Sequence, residues 1–210
     1  MFSGIVEDLG VLKSREWLEK EPVWRLCIET SLSLDDMGVG GSISHNGACL
    51  TVIKKEANLF WVDVSLETAD KSNLGNIDIG GRINLERALK LSQRLDGHLV
   101  MGHCDKRIRR LEIKEIGEGA EVWYELPSDL SRYVIVKGSI SVNGVSLTVN
   151  EIHDGRFSVF LIPHTIRETN LLDDSAEEVN IEVDMIGKYV ERLIAGDTQQ
   201  KRIVDAYINN

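Results

Sequence analysis

Cysteine, positive charge and long apolar runs are all scarce in this sequence. Its 210 residues include three cysteines, Cys27, Cys49 and Cys104, and no two of them form a C-x-x-C pair. Because the number is odd and the pairing motif is missing, neither a disulfide framework nor a metal site is expected. Lysine and arginine total 24 against 34 aspartates and glutamates, a net charge of −10. A nucleic-acid partner is not expected, because phosphates require a basic face.

No stretch approaches the ~18 consecutive apolar residues that a membrane-spanning helix requires. Residues 1–4 show neither the basic segment nor the apolar core of a secretory signal. We therefore expect a soluble, cytoplasmic protein with no membrane partner. A chain of this length suits one large domain or two small ones.

What the chain does have is an internal repeat. Residues 41–52 reappear as 138–149, with nine of twelve positions identical at a spacing of 97 residues. Further pairs keep the same order, 62–68 with 159–165 and 83–86 with 179–182. Such a period is too long for a solenoid and suits a duplicated small domain. We expect domains over 1–97 and 98–186, a tail over 187–210, and two similar sites for two copies of one ligand.

Each repeat is dominated by features of β-strands. Asn46-Gly47 and Asn143-Gly144 are favoured where a tight turn between strands needs two positive φ angles. Aromatic and β-branched runs over 59–64 and 156–161 favour strands. Short strands at this density predict a small closed barrel in each half. Short helical turns are predicted at 32–37 and 128–133, and a linker at 86–97.

The tail has a helical pattern instead. One apolar stripe contains Met185, Ile186, Tyr189, Val190, Leu193 and Ile194, and the pattern resumes at Ile203, Val204, Tyr207 and Ile208. Two alternatives would bury this stripe: docking on the chain's own barrel, or packing against the tails of other subunits.

Several motifs resemble those of one family, the α-type riboflavin synthases. They are Met1-Phe2-x-Gly4-Ile5-Val6, the paired Asn-Gly-x-x-Leu-Thr-Val segments, Asn84-x-Glu86-Arg87-Ala88-Leu89, Gly97-His98-x-x-x-Gly102-His103, Lys137-Gly138-Ser139 and Ile162-Pro163-His164-Thr165. The resemblance covers about residues 1–195. It implies an all-β fold of two tandem, similar six-stranded Greek-key β-barrels plus a C-terminal α-helix.

The resemblance also implies an activity and an assembly. Members of the family dismutate two molecules of 6,7-dimethyl-8-ribityllumazine by transferring a four-carbon unit. The products are riboflavin and 5-amino-6-ribitylamino-pyrimidinedione, in the last step of riboflavin biosynthesis, and no cofactor takes part. The family is homotrimeric, and each site combines the N-terminal barrel of one subunit with the C-terminal barrel of its neighbour. An association with lumazine synthase is compatible with this picture.

The catalytic candidates are Cys49, His103, Ser146 and Thr148. Cys49 and Ser146 stand at matching positions of the two repeats. The two similar ligand sites would therefore differ in their chemistry at this position. The resemblance implies that Cys49 assists addition at C7 of a lumazine and that Ser146 delivers water or hydroxide. His103 replaces Ile5 of the first repeat, and its ordinary pKa near ~6.5 suits removal of a proton from the C7 methyl group. A buried small thiol and a core histidine are the structural alternatives.

The substrate-binding candidates lie on matched segments of both halves. In the first half they are Gly4, Ile5, Val6, Cys49, Leu50, Thr51, Asp63, Val64, Ser65, Leu66, Glu67 and Thr68. In the second half they are Gly102, His103, Cys104, Lys137, Ser146, Leu147, Thr148, Leu161, Ile162, Pro163, His164, Thr165 and Ile166. The threonines form a symmetric set whose hydroxyls can donate to and accept from a uracil-like edge and a ribityl chain.

Other polar residues are given less specific roles. Lys137 has no counterpart at Gly40 and suits the ribityl hydroxyls, although a solvated lysine is an equal alternative. His164 is expected to line the site and Asp184 to support it. His98 is expected to be structural, and His45 and His153 to lie in solvent near turns.

One segment departs from the family. After Gly102-His103 the family usually has Val-Asp-Gly, whereas this chain has Cys104-Asp105-Lys106. Loss of the glycine is expected to change a turn where φ was positive, and with it the shape of the C-terminal cup. The basic residues that follow, Arg107, Arg109 and Arg110, are expected along a solvated strand face.

Three other functions are weighed against the enzyme. An antenna protein that binds lumazine or flavin shares the fold but typically loses site residues in one half, and here all four catalytic candidates are present. A flavin oxidoreductase would need a nucleotide-binding domain, and no G-x-G-x-x-G lies between a strand and a helix. A structural trimerisation module is disfavoured by the polar threonine set.

Overall fold

The computed structural model describes residues 1–35, 37–173 and 177–194. Strands in these residues close into two antiparallel barrels of six strands each. The first contains β1 (Asp8–Leu18), β2 (Val23–Glu29), β3 (Ser42–His45), β4 (Ala48–Glu56), β5 (Leu59–Ser65) and β6 (Arg82–Arg87). The second contains β7 (Lys106–Ile116), β8 (Gly119–Glu125), β9 (Ser139–Val142), β10 (Val145–His153), β11 (Arg156–Leu161) and β12 (Glu178–Val183).

The two barrels share one topology. Their strands follow the cyclic orders β1-β2-β5-β4-β3-β6 and β7-β8-β11-β10-β9-β12. Each barrel is closed by pairing of its first strand with its last, β1 with β6 and β7 with β12. The predicted pair of all-β barrels is therefore confirmed.

Each barrel surrounds its own apolar core, because successive side chains of a strand point inward and outward. On β4, Leu50 and Val52 are buried while Thr51 between them is exposed, and β10 repeats this burial pattern residue for residue. Phe60 fills the first core and Phe157 the second, both completely buried. The register of β4 and β10 thereby fixes which residues face outward at the matched sites.

Short helices flank the barrels. They are α1 (Leu66–Lys71) and α2 (Pro163–Glu168), with 3-10 turns at Asn73–Gly75 and Ser131–Tyr133. The second of these turns confirms the prediction at 128–133. At 32–37 Asp35 lies in a turn, closed by the amide of Met37 donating to the carbonyl of Leu34 at 3.3 Å, and the described residues there form no helix. A third helix, α3, is described over 185–194. No helix in the described part of the chain is both long and apolar enough to cross a membrane.

The two Asn-Gly turns meet at the contact between the barrels. Asn46 and Gly47 have φ of 46° and 85°, and Asn143 and Gly144 have 45° and 78°, as the dipeptides predict. A Cβ on Gly144 would lie 2.7 Å from the amide nitrogen of Gly47. Both glycines are therefore required by their φ angles and by this close approach.

Six buried asparagines join the barrels around these turns. They are Asn46, Asn73, Asn84, Asn143, Asn170 and Asn180. The Nδ2 of Asn180 donates to the carbonyl of Asn46 at 2.8 Å, and the Nδ2 of Asn84 donates to that of Asn143 at 2.9 Å. Because buried amides are costly unless they are hydrogen-bonded, this satisfied network favours one relative orientation of the barrels.

The segment before each barrel crosses to the other one. The amide of Ser146 in β10 donates to the carbonyl of Gly4 at 2.7 Å, and the amide of Cys49 in β4 donates to that of Gly102 at 2.8 Å. The two crossing segments also pair with each other, through an antiparallel bridge between Phe2 and Val100. Each barrel therefore receives part of its surface from residues that precede its partner.

The helix α3 docks through polar contacts and leaves its apolar stripe uncovered. Glu191 accepts hydrogen bonds from Arg132 and Tyr133, and Lys188 pairs with Asp105 at 2.6 Å. Of the predicted stripe, the side chains of Ile186, Tyr189, Val190, Leu193 and Ile194 are all exposed. Docking of this stripe on the chain's own barrel is therefore wrong for the described residues. The stripe predicted at 203–208 lies outside them.

Candidate active site

A cavity of about 350 Å³ lies where β4, α1 and the second crossing segment meet. Its walls include six predicted site residues, Cys49, Glu67, Thr68, Gly102, His103 and Cys104. We call this set cup 1. The volume falls within the range of small-molecule sites, so the structure brings together residues that lie far apart in the sequence.

Close packing of backbone builds cup 1. Gly102 has a φ of +82°, and a Cβ there would lie 2.6 Å from the Cβ of Cys49. Only glycine allows this approach, which carries His103 and Cys104 onto the first barrel. Cys104 packs against the core of the N-terminal barrel and so contributes to cup 1. Lys106, which stands where the family usually has glycine, begins β7 in regular pairing with Ile181. The expected effect of this segment on the C-terminal cup stays a prediction.

A matching arrangement lies on the second barrel. Gly4 has a φ of +76°, and a Cβ there would lie 2.6 Å from the Cβ of Ser146. Val6 and Ile166 pack against the core of this barrel. The side chain of Ile5, between Gly4 and Val6 in the sequence, is exposed. We call the set of Gly4, Ile5, Val6, His98, Ser146, Thr148, Thr165 and Ile166 cup 2. The two cups follow the same plan with different side chains.

His98 completes cup 2. Its Nδ1 lies 2.7 Å from the Oγ of Ser146. Burial lowers the pKa of His98, and the negative charge of Asp184 opposes that effect. The imidazole is therefore biased toward its neutral form, which can accept the proton of the Ser146 hydroxyl.

The sequence interpretation of His98 as structural missed this contact. His98 immediately follows the linker over 86–97, in a segment where the comparison of repeats gives it no counterpart. A signal was present in Gly97, where a Cβ would clash with the carbonyl oxygen of Ser3 and lie 2.8 Å from the Cβ of Ser146. The linker passes so closely over Ser146 that the next side chain reaches it.

Two thiols, Cys49 and Cys104, lie in the wall of cup 1. Burial raises the pKa of Cys104 to about 12, and the charges of Glu182 and Asp105 act in the same direction. Cys104 is therefore a neutral thiol at physiological pH, and a thiol is a much poorer nucleophile than a thiolate. Cys49 is half-buried and lines the same cavity.

Several predicted binding residues present only their backbone. Leu50, Val64, Leu147 and Leu161 have buried side chains within the two barrel cores. The carboxylate of Asp63 is held by Arg25, with 2.8 Å between Oδ1 and Nε. These residues can shape a ligand site through main-chain atoms, whereas their side chains are already engaged.

Other predicted residues offer free hydroxyls or exposed surface. Thr51 and Thr148 are exposed and lie two residues beyond Cys49 and Ser146, on the same faces of their strands. Ser65 caps α1 and its Oγ lies 3.0 Å from that of Thr68. Leu66 of α1, beside the first barrel, is exposed. Beside the second barrel, Ile162 and His164 are exposed, and Pro163 and Thr165 are half-buried.

Lys137 is exposed and has an unusual backbone conformation. Its φ is +67°, and its amide donates to the carbonyl of Val149 at 2.8 Å. The matching residue in the first barrel is Gly40, with a φ of +94° and the same hydrogen bond to Val52. A lysine stands where glycine suits the backbone, and such strain is typical of functional positions.

The remaining predictions on polar residues have mixed outcomes. His45 is completely buried beside Phe60, so its predicted place in solvent is wrong, whereas His153 is exposed as predicted. Arg107 and Arg109 form ion pairs with Glu178 and Glu125 along β7, which agrees with a solvated strand face. Arg110 differs, because it is half-buried and donates to the carbonyls of Leu171 and Asp173 at 2.8 and 3.1 Å.

The sequence matches one family over most of its length. The model of the lumazine binding domain matches residues 3–88 and 101–184. The riboflavin synthase of Mycobacterium tuberculosis is 43% identical over 200 residues, covering 92% of this chain and 98% of that protein. Those of Bacillus subtilis and Photobacterium phosphoreum are 39% and 36% identical, each over 96% of this chain and 93% of the relative.

Solved structures show the same fold. LumP in complex with riboflavin superimposes with a TM-score of 0.79, covering 88% of this chain and 100% of that chain at 23% identity. LumP in complex with 6,7-dimethyl-8-(1'-D-ribityl) lumazine gives a TM-score of 0.76 at the same identity. At this level of identity the likeness concerns the fold.

Proposed function

Because the chain belongs to the lumazine-binding family of riboflavin synthases, we propose that it converts two molecules of 6,7-dimethyl-8-ribityllumazine into riboflavin and 5-amino-6-ribitylamino-pyrimidinedione. The reaction moves a four-carbon unit from one lumazine to the other. The observation that carries the proposal is the pair of cups, each built where a crossing segment meets a matched strand. Two similar cups suit a reaction whose two substrates are identical.

Positioning supplies much of the catalysis. Holding two reactants in a productive pose is worth roughly 7–11 kcal/mol of barrier. The threonines of the two cups supply hydroxyls for the ring edge and ribityl chain, and Lys137 lies on the loop that leads into β9 of the second barrel.

Proton transfer is divided between the cups. In cup 1, His103 removes a proton from the C7 methyl of its lumazine, and Cys49 lies on the same wall to assist addition at C7. In cup 2, neutral His98 accepts a proton from Ser146 or from a water that Ser146 holds, and so directs an oxygen nucleophile to the second lumazine. Thr148 follows Ser146 on the same strand face and supports the bound ring.

The two cups meet across subunits in a homotrimer. The uncovered apolar stripe of α3 supports this assembly, because an exposed row of large apolar side chains marks an interaction surface. In the trimer, cup 1 of one subunit faces cup 2 of its neighbour. The functional units are the barrels over 1–97 and 98–186 with an oligomerisation tail over 187–210. The protein acts in the cytoplasm and needs no cofactor. Lumazine synthase is a partner in this proposal, because it supplies the substrate.

The direct test uses the full chain and 6,7-dimethyl-8-ribityllumazine alone. We expect one riboflavin to form for every two lumazines consumed, followed by riboflavin absorbance, with no cofactor added. Tight binding of the lumazine without turnover would contradict the proposal and indicate an antenna-type binding protein.

A further inference from the structure

Two buried carboxylates stand at matching positions on the last strand of each barrel. They are Glu86 on β6 and Glu182 on β12, each 4% exposed. Burial raises the pKa of both carboxyl groups, and the hydrogen bonds that they accept oppose that effect. Burying a carboxylate opposes folding unless its oxygens accept hydrogen bonds. The donors that bind Glu86 and Glu182 therefore indicate the role of these two residues.

Glu182 binds the backbone that carries His103. Its Oε1 accepts from the amide of Met101 at 2.6 Å, and its Oε2 accepts from the amides of Gly102 and His103 at 2.9 Å each. The carbonyl of Gly102 in turn receives the amide of Cys49. One carboxylate of the second barrel therefore fixes the peptide that forms a wall of cup 1.

Glu86 does the same for the N-terminal segment. Its Oε1 accepts from the amide of Ser3 at 2.6 Å and from its Oγ at 2.8 Å, and its Oε2 accepts from the amide of Gly4 at 3.0 Å. The carbonyl of Gly4 receives the amide of Ser146. A carboxylate of the first barrel therefore fixes a wall of cup 2.

We propose that Glu182 and Glu86 are positioning residues for the dismutation, and that each acts on the cup of the opposite barrel. Glu182 sets the placement of His103 over cup 1, and Glu86 sets the Gly4–Ser146 contact of cup 2. The inference rests on the proposed function. It also explains why a glutamate ends both repeated segments, 83–86 and 179–182. In each segment the buried glutamate accepts hydrogen bonds from backbone amides that lie outside the barrel strands.

The test compares Glu182→Gln, Glu86→Gln and the matched control Glu178→Gln. Glutamine has the same shape, but its amide group donates where a backbone N–H also donates, so one side of the clamp is lost. Glu178 lies on the same strand, half-exposed and paired with Arg107 at 3.0 Å. We expect kcat for riboflavin formation to fall at least about tenfold in the first two variants, with an unchanged oligomeric state and cooperative unfolding at a somewhat lower melting temperature, and to be unchanged in the control.

Amide hydrogen exchange separates positioning from a general loss of structure. In the wild type, the amides of 101–103 and of 3–4 should be protected although they lie outside strands. Glu182→Gln should expose only the first group and Glu86→Gln only the second. Loss of protection throughout the chain, or wild-type kcat and KM in both variants, would overturn the inference. Should Glu182→Gln fail to fold, Glu182→Asp keeps the charge and is expected to fold with lowered kcat, and a wild-type kcat there would also overturn it.

Failure of the proposed function has a different signature. The wild type itself would then form no riboflavin. Its hydrogen-exchange pattern, together with its binding of riboflavin measured by flavin fluorescence, would still show whether Glu182 and Glu86 order the segments that line the two cups.

Discussion

At the scale of single residues, the two cups receive their histidines by different routes. His103 follows Gly102 on a crossing segment, whereas His98 stands directly after the linker and contacts Ser146. The duplication therefore gives the cups a common frame. Differences at matched positions, such as Cys49 against Ser146, and the added contact of His98 give them different chemistry. This asymmetry suits a reaction in which two identical molecules must play different parts.

The contact between His98 and Ser146 predicts a shared catalytic role. Ser146→Ala and His98→Ala should each lower kcat by on the order of a hundredfold, and the double variant should be little worse than either, because residues that act as a unit are not additive. Steady-state kinetics on all three variants would measure this. His153→Ala is the control, since that histidine is exposed and paired with Glu151. Independent, multiplicative losses would contradict a joint role.

His45 predicts a loss of stability in acid. Complete burial lowers its pKa from 6.5 to about 4. Between these values the unfolded chain binds a proton that the folded chain does not, so the free energy of unfolding falls as the pH falls from 6.5 toward 4. The loss is on the order of 3 kcal/mol.

The second barrel supplies the control variant for this prediction. Val142 is buried at the position that matches His45, so His45→Val should fold and lack the acid-dependent loss. Chemical denaturation of both proteins across this pH range would isolate the histidine, because all other groups are common to them. Identical pH profiles would show that His45 does not titrate as its burial predicts.

At the scale of elements, the sequence predicted the repeated strands well and the crossings poorly. The Asn-Gly turns and the alternation on β4 and β10 depend on local residues, so they could be read directly. The crossing segments have no periodic pattern, and their path depends on glycines that let backbones meet, such as Gly4 and Gly102. For the same reason His103 was assigned by its repeat position, while the structure brings it to the opposite barrel.

The loop before β9 predicts a separation of binding from stability. Lys137 has a φ of +67°, a conformation that glycine adopts with less strain. Lys137→Gly should therefore either leave the free energy of unfolding unchanged or raise it by up to about 1 kcal/mol. The same change should weaken binding of riboflavin, because it removes the ammonium group proposed for the ribityl hydroxyls.

The first barrel offers the reciprocal change. Gly40→Ala places a side chain at the matching φ of +94°, where no atom lies within 4 Å of the added Cβ. It should cost stability by about 1 kcal/mol through backbone strain alone. Thermal melts and fluorescence titrations of the two variants test the pair, and unchanged riboflavin affinity in Lys137→Gly would remove Lys137 from the site.

At the scale of the whole molecule, the relative placement of the cups depends on contacts that no local pattern reveals. The six buried asparagines belong to different strands and turns, and each taken alone suggests only a turn or a strand end. Their mutual hydrogen bonds hold the barrels back to back through Asn46 and Asn143. The repeat predicted two cups, but only the fold shows that each cup borrows a segment from across this contact.

The uncovered stripe of α3 carries the last prediction, that activity requires subunits to associate. Leu193→Glu places a charge on a side chain that is 73% exposed in the single chain. In a monomer this change is nearly neutral, whereas within an apolar interface between tails it buries an unpaired charge. We expect dissociation of the trimer in analytical ultracentrifugation together with loss of riboflavin formation. Circular dichroism should remain unchanged, because the barrels have their own cores.

Leu91→Glu is the matched control, since Leu91 is completely exposed and belongs to the linker rather than to α3. It should change neither the oligomeric state nor the turnover. A monomeric Leu193→Glu protein with full activity would contradict the shared site, because both cups of one chain would then suffice. A trimeric Leu193→Glu protein would instead place the subunit contacts on another surface.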